Sequence, residues 1–180
     1  MGRRGRASFV SETEYFVTTT VTSFAKVFVD TRYCDIFVAH IKHYQEIYQF
    51  KIYGYVIMPT HFHWIVQTEP TLGTISDIMR DIKKFTAWDV MDALEQGGRN
   101  ALLKLFRQKA VGLQQRRKFW MSRFDDEVIR NREMILTKLE YIHNNPIKAG
   151  LVVNQEDYKY SSARNYILHD HSILQVETDW

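Results

Sequence analysis

Segments rich in β-branched and aromatic residues alternate along the chain with segments whose apolar residues recur every three or four positions. The first pattern is typical of partly buried strands, and the second of amphipathic helices. The predicted strands cover residues 15–22, 51–58, 61–67 and 119–124. The predicted helices cover residues 35–50, 74–94 and 126–144, with a further short helix around 163–168. The order of the main elements is therefore β-α-β-β-α-β, followed by a helix.

This order predicts an α+β fold of the ferredoxin-like βαββαβ type, with one more long helix after the last strand. In such a fold, helices cover one face of an antiparallel sheet and leave the other face open for a site. Pro59 closes the second strand, because proline lacks the N–H group that a sheet ladder uses. Asp126 offers an N-cap for the last long helix, whose end is marked by Pro146 and Gly150.

Length and composition fit one globular domain. The chain has 180 residues, of which 45% are hydrophobic and 14% aromatic, enough for a packed core. We expect a single domain over residues 1–180, with a basic arm at 1–12, a basic loop or insertion at 95–118 and a tail at 153–180.

The sequence also favours a soluble, cytoplasmic protein. Cys34 is the only cysteine, which excludes an intramolecular disulfide framework and fits a reducing compartment. No apolar run approaches the roughly 20 residues of a bilayer span. The opening residues, MGRRGRASFV, lack the apolar segment of a secretion signal.

Basic residues are unevenly distributed, although the formal net charge is only +3. Residues 99–118 hold seven lysines and arginines and no acid. Phosphates respond to such local patches more than to net charge. The candidate DNA-contacting residues are Arg3, Arg4, Arg6, Lys83, Lys84, Arg116, Arg117 and Lys118. For each of them an ordinary solvated surface is an equal alternative.

His61 and His63 form a His-x-His pair in a predicted strand. Their side chains share one face, with Cβ atoms roughly 6.6 to 7 Å apart, so the imidazoles can converge on one metal ion. Two histidines on the solvated face of an edge strand are the alternative. His169 and His171 have the same spacing but no strand pattern around them, and we interpret them as part of a solvated tail.

Tyr141 stands apart from the apolar seam of the last long helix. That seam comprises Val128, Ile135, Leu139 and Ile142. Tyr141 shares a different row with Lys138 and Asn145, so its hydroxyl can point into a groove beside the sheet. A packed tyrosine with a hydrated hydroxyl is the ordinary alternative.

Asn145 can present its amide oxygen beside the phenol, since it lies one helical turn after Tyr141. Its direction is open, because a residue before proline disfavours the helical conformation. Asn144 and His143 are the substitutes for this position.

Several motifs match a known family in order and spacing. They are YFVT at 15–18, VIMPTHFHWIV at 56–66, the pattern of Phe124, Asp126, Ile129 and Arg130, YIHNNPIKAGLV at 141–152, and YSSA at 160–163. With these motifs the chain resembles the REP-associated tyrosine transposases, relatives of the single-tyrosine insertion-sequence transposases in the HUH endonuclease superfamily. Two features depart from the family: aromatic Phe62 stands where an aliphatic residue is usual, and the basic stretch before Phe119 differs.

The resemblance implies roles for four residues. His61 and His63 would be metal ligands, Tyr141 the nucleophile and Asn145 the polar third ligand. Two imidazoles and an amide oxygen suit Mg2+ or Mn2+.

The resemblance also implies an activity and a partner. The protein would cleave and rejoin single-stranded DNA beside a palindromic hairpin, through a 5′-phosphotyrosine intermediate. It would act in the cytoplasm at the nucleoid, as a monomer or homodimer. The alternatives are a non-catalytic hairpin-binding protein and a metal-dependent phosphodiesterase that uses water, with Tyr141 only structural.

Overall fold

A four-stranded antiparallel sheet forms the centre of the molecule in the computed structural model, which describes residues 13–113 and 116–180. The strands are β1 (Thr13–Thr20), β2 (Lys51–Met58), β3 (His61–Thr68) and β4 (Asp125–Val128). Their order across the sheet is β2-β3-β1-β4, and every neighbouring pair is antiparallel. The predicted α+β, ferredoxin-like arrangement is confirmed.

Five α-helices accompany this sheet in the described part of the chain. They are α1 (Thr31–Tyr48), α2 (Ile75–Gln96), α3 (Asn100–Gln108), α4 (Arg132–Lys148) and α5 (Ala163–Leu168). Helix α2 begins at a capping box, in which the side chains of Thr74 and Asp77 each accept from the other's backbone N–H. Within the described residues, none of the helices combines the length and apolarity that a membrane span requires.

Alternation along the strands divides the apolar residues into two cores. Val17, Phe62 and Trp64 point to one face, where they pack in one cluster with residues of α1 and α2. The opposite face carries Val56, Met58 and Ile65, which cluster with Ile135, Leu139 and Ile142 of α4. Helix α4 therefore covers the β2 and β3 part of the face that the sequence predicts to be open.

The C-terminal segment adds to the outer edge of β2. Tyr160 accepts from the N–H of Ile57, and Tyr55 accepts from the N–H of Ser162. Further on, Leu174 and Val176 are buried in the main core. The predicted tail is thus packed against the domain, and its predicted short helix is confirmed as α5.

The predicted strand at 119–124 is wrong. Within that segment only Trp120 makes a strand-like bridge, to Val21, and β4 follows it at Asp125–Val128. Asp126 pairs with Val17 inside β4 and therefore cannot cap α4. The N-cap is Asn131, whose side chain accepts from the N–H of Met134.

The predicted loop at 95–118 is also wrong in its middle. Residues 100–108 form α3, because Leu103 and Phe106 lie on one side of a helix and are buried in the core. The end of α4 requires a smaller correction. The helix continues through Pro146 to Lys148, and Gly150, with a φ of 67°, follows its end.

Gly54 lets α4 approach β2 closely. A Cβ atom placed there would clash with Cδ2 of Leu139 and would lie 3.5 Å from Oγ of Ser162. Because real Cβ atoms do not tolerate such a clash, any other residue at position 54 must move Leu139 or the helix.

Gly54→Ala is expected to lower the free energy of unfolding by about 1 to 3 kcal/mol through overpacking. Chemical denaturation would measure the change. In a Leu139→Ala background the same substitution should cost clearly less, because the clashing methyl group is gone. An equal cost in both backgrounds would show that the clash is not the cause.

Candidate active site

The two histidines of β3 lie side by side on the face that also carries α4. Their ring centroids are 4.7 Å apart. Nδ1 of His63 lies 2.7 Å from Oγ1 of Thr18, and Nδ1 of His61 lies 2.9 Å from Oγ1 of Thr60. When both Nδ1–H groups donate to these threonines, the two Nε2 atoms carry the lone pairs that a metal ion needs.

Nε2 of His63 is buried and has no hydrogen-bond partner within the described residues. A buried polar atom without a partner is costly and therefore uncommon in folded proteins. Coordination to a metal ion would satisfy it, so the histidine pair fits a metal site. Within residues 13–113 and 116–180, no group of three or more His, Cys, Asp or Glu residues has metal-binding geometry. A further ligand would thus be an amide oxygen or water.

Asn145 remains the candidate for that amide ligand. Its Nδ2 donates to the backbone oxygen of Tyr141 at 3.4 Å, on the same helix. The two substitutes make contacts with the C-terminal segment: Asn144 Oδ1 accepts from Gln155, and His143 Nε2 lies 2.8 Å from Oγ of Ser162.

Tyr141 lies beside the histidine pair. Its ring centroid is 5.2 Å from that of His63, with the rings edge to face, and 6.0 Å from that of Phe16. The residue is 42% exposed although its neighbours in α4 pack on the sheet. The phenol therefore lies at the surface next to the potential metal ligands.

Several neighbours of the site were missed by sequence reasoning. Thr18 binds His63, and Phe16 stacks on the same imidazole with a centroid distance of 5.6 Å. Lys138 Nζ lies 4.6 Å from the Phe16 ring and 2.6 Å from Oε2 of Glu127. Lys138 shares the helical row of Tyr141, and Phe16 and Thr18 belong to the YFVT motif at 15–18, so these three carried a sequence signal. Their contacts with His63 and Tyr141 depend on which elements are neighbours and in which register the strands pair.

The surroundings keep the buried histidines neutral. Burial lowers the pKa of His63 to about 3, helped by the nearby His61 and Lys138, and burial also lowers the pKa of His61. The neutral imidazole is the form that binds a metal ion. Burial likewise lowers the pKa of His143 to about 4.

Acid should destabilise the fold because of these histidines. Below the ordinary pKa of 6.5 the histidine is protonated in the unfolded chain, whereas in the folded protein it stays neutral down to about pH 4. The contribution of His143 to the free energy of unfolding is therefore fully present above pH 6.5 and is lost as the pH falls toward 4. At pH 5 we expect a loss of about 2 kcal/mol from His143 alone.

Denaturant unfolding at pH 7.5 and pH 5 tests this expectation. His143→Gln should reduce the difference between the two pH values, whereas His169→Gln, at an exposed position, should leave it unchanged. The same pH dependence in both variants would contradict the assigned cause.

The second His-x-His pair, His169 and His171, lies in the C-terminal segment, and the contacts of His171 are made within that segment. His169 is exposed, and Nδ1 of His171 lies 3.1 Å from Nδ2 of Asn165 and 3.4 Å from the backbone nitrogen of Val176. Asp170 between them pairs with Arg164 at 2.8 Å.

The candidate DNA-contacting residues divide into two groups. Arg3, Arg4 and Arg6 lie outside the described residues. The other five line a single groove between α2 and the segment 116–124: Lys83, Lys84, Arg116, Arg117 and Lys118. Sequence spacing alone does not predict that the lysines at 83–84 and the basic residues at 116–118 line the same groove.

Lys83 and Arg117, two of these five, form hydrogen bonds or ion pairs within the described part of the protein. Lys83 Nζ donates to the backbone oxygen of Met121 at 3.0 Å, and burial lowers its pKa to about 8. Arg117 pairs with Glu95 at 3.1 Å and with Asp92 at 3.8 Å.

A family model for IS200-like transposases matches residues 9–145. The chain belongs to this family. A Haemophilus influenzae protein that carries the name REP-associated tyrosine transposase is 26% identical to this transposase over 157 residues, which cover 87% of this chain and 83% of that protein.

Two solved structures share the fold of the transposase. A REP-associated tyrosine transposase bound to a REP hairpin has a TM-score of 0.66 at 20% identity, covering 99% of this chain and 100% of the other. A Deinococcus radiodurans transposase has a TM-score of 0.50 at 17% identity, covering 79% and 97% of the two chains.

Proposed function

We propose that this transposase is a metal-dependent single-strand DNA endonuclease and strand transferase that cleaves and rejoins DNA beside a hairpin. The observation that carries the proposal is the position of an exposed phenol, Tyr141, 5.2 Å in ring-centroid distance from an imidazole whose buried Nε2 is unpaired among the described residues. A potential nucleophile thus lies beside a potential metal ligand.

In the proposed reaction, Oη of Tyr141 attacks a backbone phosphorus and loses its proton, and the leaving 3′ oxygen takes up one proton, so that the step has no net change in protons. The new bond joins Tyr141 to the 5′ side of the cut as a 5′-phosphotyrosine, while the bond to the 3′ oxygen breaks and that oxygen leaves as a 3′-hydroxyl. One phosphodiester replaces another, so attack by a second 3′-hydroxyl restores the strand without ATP.

His61, His63 and Asn145 would hold the metal ion, which we propose to be Mg2+ or Mn2+ from this donor set. When bound, the ion would polarise a non-bridging phosphate oxygen. Where Thr18 and Thr60 accept from the Nδ1–H groups, they hold both imidazoles in the tautomer that leaves Nε2 unprotonated. Phe16 packs against both His63 and Tyr141 and fixes the distance between them.

The proposed partner is single-stranded DNA with a palindromic hairpin, because a protein of the same fold is described bound to a REP hairpin. Of the five described basic candidates, Lys84, Arg116 and Lys118 are the ones we assign to phosphate contacts. We propose that the protein acts at the nucleoid in the cytoplasm, as a monomer or homodimer.

Incubation with labelled hairpin DNA and Mn2+, followed by a denaturing gel, tests the proposal. A covalent protein–DNA adduct is the expected result. Free cleaved ends without an adduct would instead indicate a phosphodiesterase that uses water. A complex visible only on native gels would indicate a binding protein without turnover.

A further inference from the structure

The groove between α2 and residues 116–124, here called the α2 groove, combines cations with aromatic surface. Its lining includes Lys84, Trp88, Arg116, Lys118 and Phe124. Grooves that bind single-stranded nucleic acid have this composition, because cations follow the phosphates and aromatic rings stack on the bases.

Trp88 is the prominent feature of the α2 groove. Its side chain is 55% exposed, whereas Trp64 and Trp120 are buried. The edge-to-face contact with Phe85, at 5.1 Å between centroids, supports the ring from one side. Lys84 Nζ lies over the ring, 4.8 Å from its centroid. The exposed indole thus offers a stacking surface, and the lysine supplies a positive charge at the ring.

The electrostatics of the α2 groove favour phosphate. Its two carboxylates near Trp88 along α2 both have partners: Oδ2 of Asp89 lies 2.8 Å from Nε2 of His40, and Asp92 forms an ion pair with Arg117 at 3.8 Å. Lys84, Arg116 and Lys118 add positive charge along the same lining. The partly paired acids reduce this charge but do not reverse it.

The α2 groove begins close to the candidate active site. Met121, which lines the groove, donates its N–H to the backbone oxygen of Thr20 at 2.9 Å. Thr20 in turn faces His61 across β1 and β3. Two strand spacings, about 10 Å in all, therefore separate the groove wall from the end of β3 that carries the histidines. One DNA strand can reach both places around the edge of the sheet.

We propose that the α2 groove binds unpaired DNA nucleotides, with a base stacked on Trp88 and phosphates at Lys84, Arg116 and Lys118. The choice of DNA as the ligand rests on the proposed function. The groove thus takes the unpaired segment that adjoins the cleaved strand, and duplex stems bind elsewhere.

Anisotropy titrations of the full chain in EDTA test this site. The probes are fluorescein-labelled dT15 and a blunt-ended DNA hairpin with the same number of phosphates. Trp88→Ala should weaken dT15 binding about tenfold, since stacking on an aromatic ring contributes about 1 to 3 kcal/mol per base. Trp88→Phe should retain most of the affinity, and the hairpin should bind all three proteins within about twofold.

Lys84→Ala gives an independent readout. The slope of log K against log salt for dT15 should become shallower by about 0.7, the value for one phosphate contact on a single strand. Lys42→Ala, at an exposed position of α1, is the matched control and should leave the slope unchanged.

Unchanged dT15 binding by Trp88→Ala, or an equal loss for dT15 and the hairpin, would overturn the proposal. Should Trp88→Ala fail to fold, Trp88→Phe decides the matter through intrinsic fluorescence. The quenching that dT15 causes in the parent protein must then disappear, and quenching that persists would overturn the site.

The two proposals can fail separately. If the parent protein forms no adduct but binds dT15 through Trp88, the proposed function fails and the groove stands. If adducts form while Trp88→Ala binds dT15 normally, the groove fails and the proposed function stands.

Discussion

Replacing Tyr141 with phenylalanine is expected to abolish the covalent protein–DNA adduct and to reduce strand cleavage by about 10⁴-fold or more. Hairpin binding should remain within about threefold, because the substitution removes one hydroxyl and keeps the ring. The ring contacts with His63 and Phe16 are therefore preserved. Denaturing gels measure the adduct, and native gels or anisotropy measure binding.

Tyr15→Phe is the matched control for this experiment. Tyr15 lies one residue before Phe16 in β1, so its side chain points to the opposite face of the sheet, where it packs on the main core. The Tyr15→Phe substitution also removes one hydroxyl, and it should leave adduct formation intact. An active Tyr141→Phe protein would exclude Tyr141 as the nucleophile.

The elements that are well predicted from the sequence carry their own boundary signals. Strand β2 has the predicted bounds because a β-branched run ends at Pro59. Helix α2 begins within one residue of the prediction because Thr74 and Asp77 form a capping box. Strand β4 has no such signal. Its acidic sequence, DDEV, pairs with β1 because the edge of that strand is available, a tertiary cause that no local pattern shows.

In the candidate site, too, some features follow from local sequence patterns and others only from tertiary structure. Strand alternation predicts that His61 and His63 share a face, and helical periodicity predicts that Tyr141 leaves the apolar seam. The partnership of Thr18 with His63 depends instead on the register of β1 against β3. Charge patterning gives the DNA-contacting candidates, but it cannot show that Lys83 binds backbone oxygens or that Arg117 pairs with carboxylates.

The other large effect is expected at the proposed metal site. His63→Ala should reduce metal-dependent cleavage to the level seen in EDTA, because it removes the buried Nε2 atom that lacks any other partner in the described structure. Calorimetric titration with Mn2+ should show binding by the parent protein and none by the variant. His169→Ala, which removes an exposed histidine from the tail, should bind Mn2+ normally.

Thr18→Val provides a graded test of the same site. It keeps both imidazoles but removes the hydroxyl that lies 2.7 Å from Nδ1 of His63. The loss of an orienting partner of this kind typically costs about 10- to 100-fold in metal affinity. Cleavage by Thr18→Val should therefore recover at high Mn2+ concentration, whereas cleavage by His63→Ala should not. If His63→Ala cleaves like the parent protein throughout a Mn2+ titration, the histidine pair does not form the metal site. Loss of a metal ligand that no other residue replaces would have to lower metal-dependent cleavage.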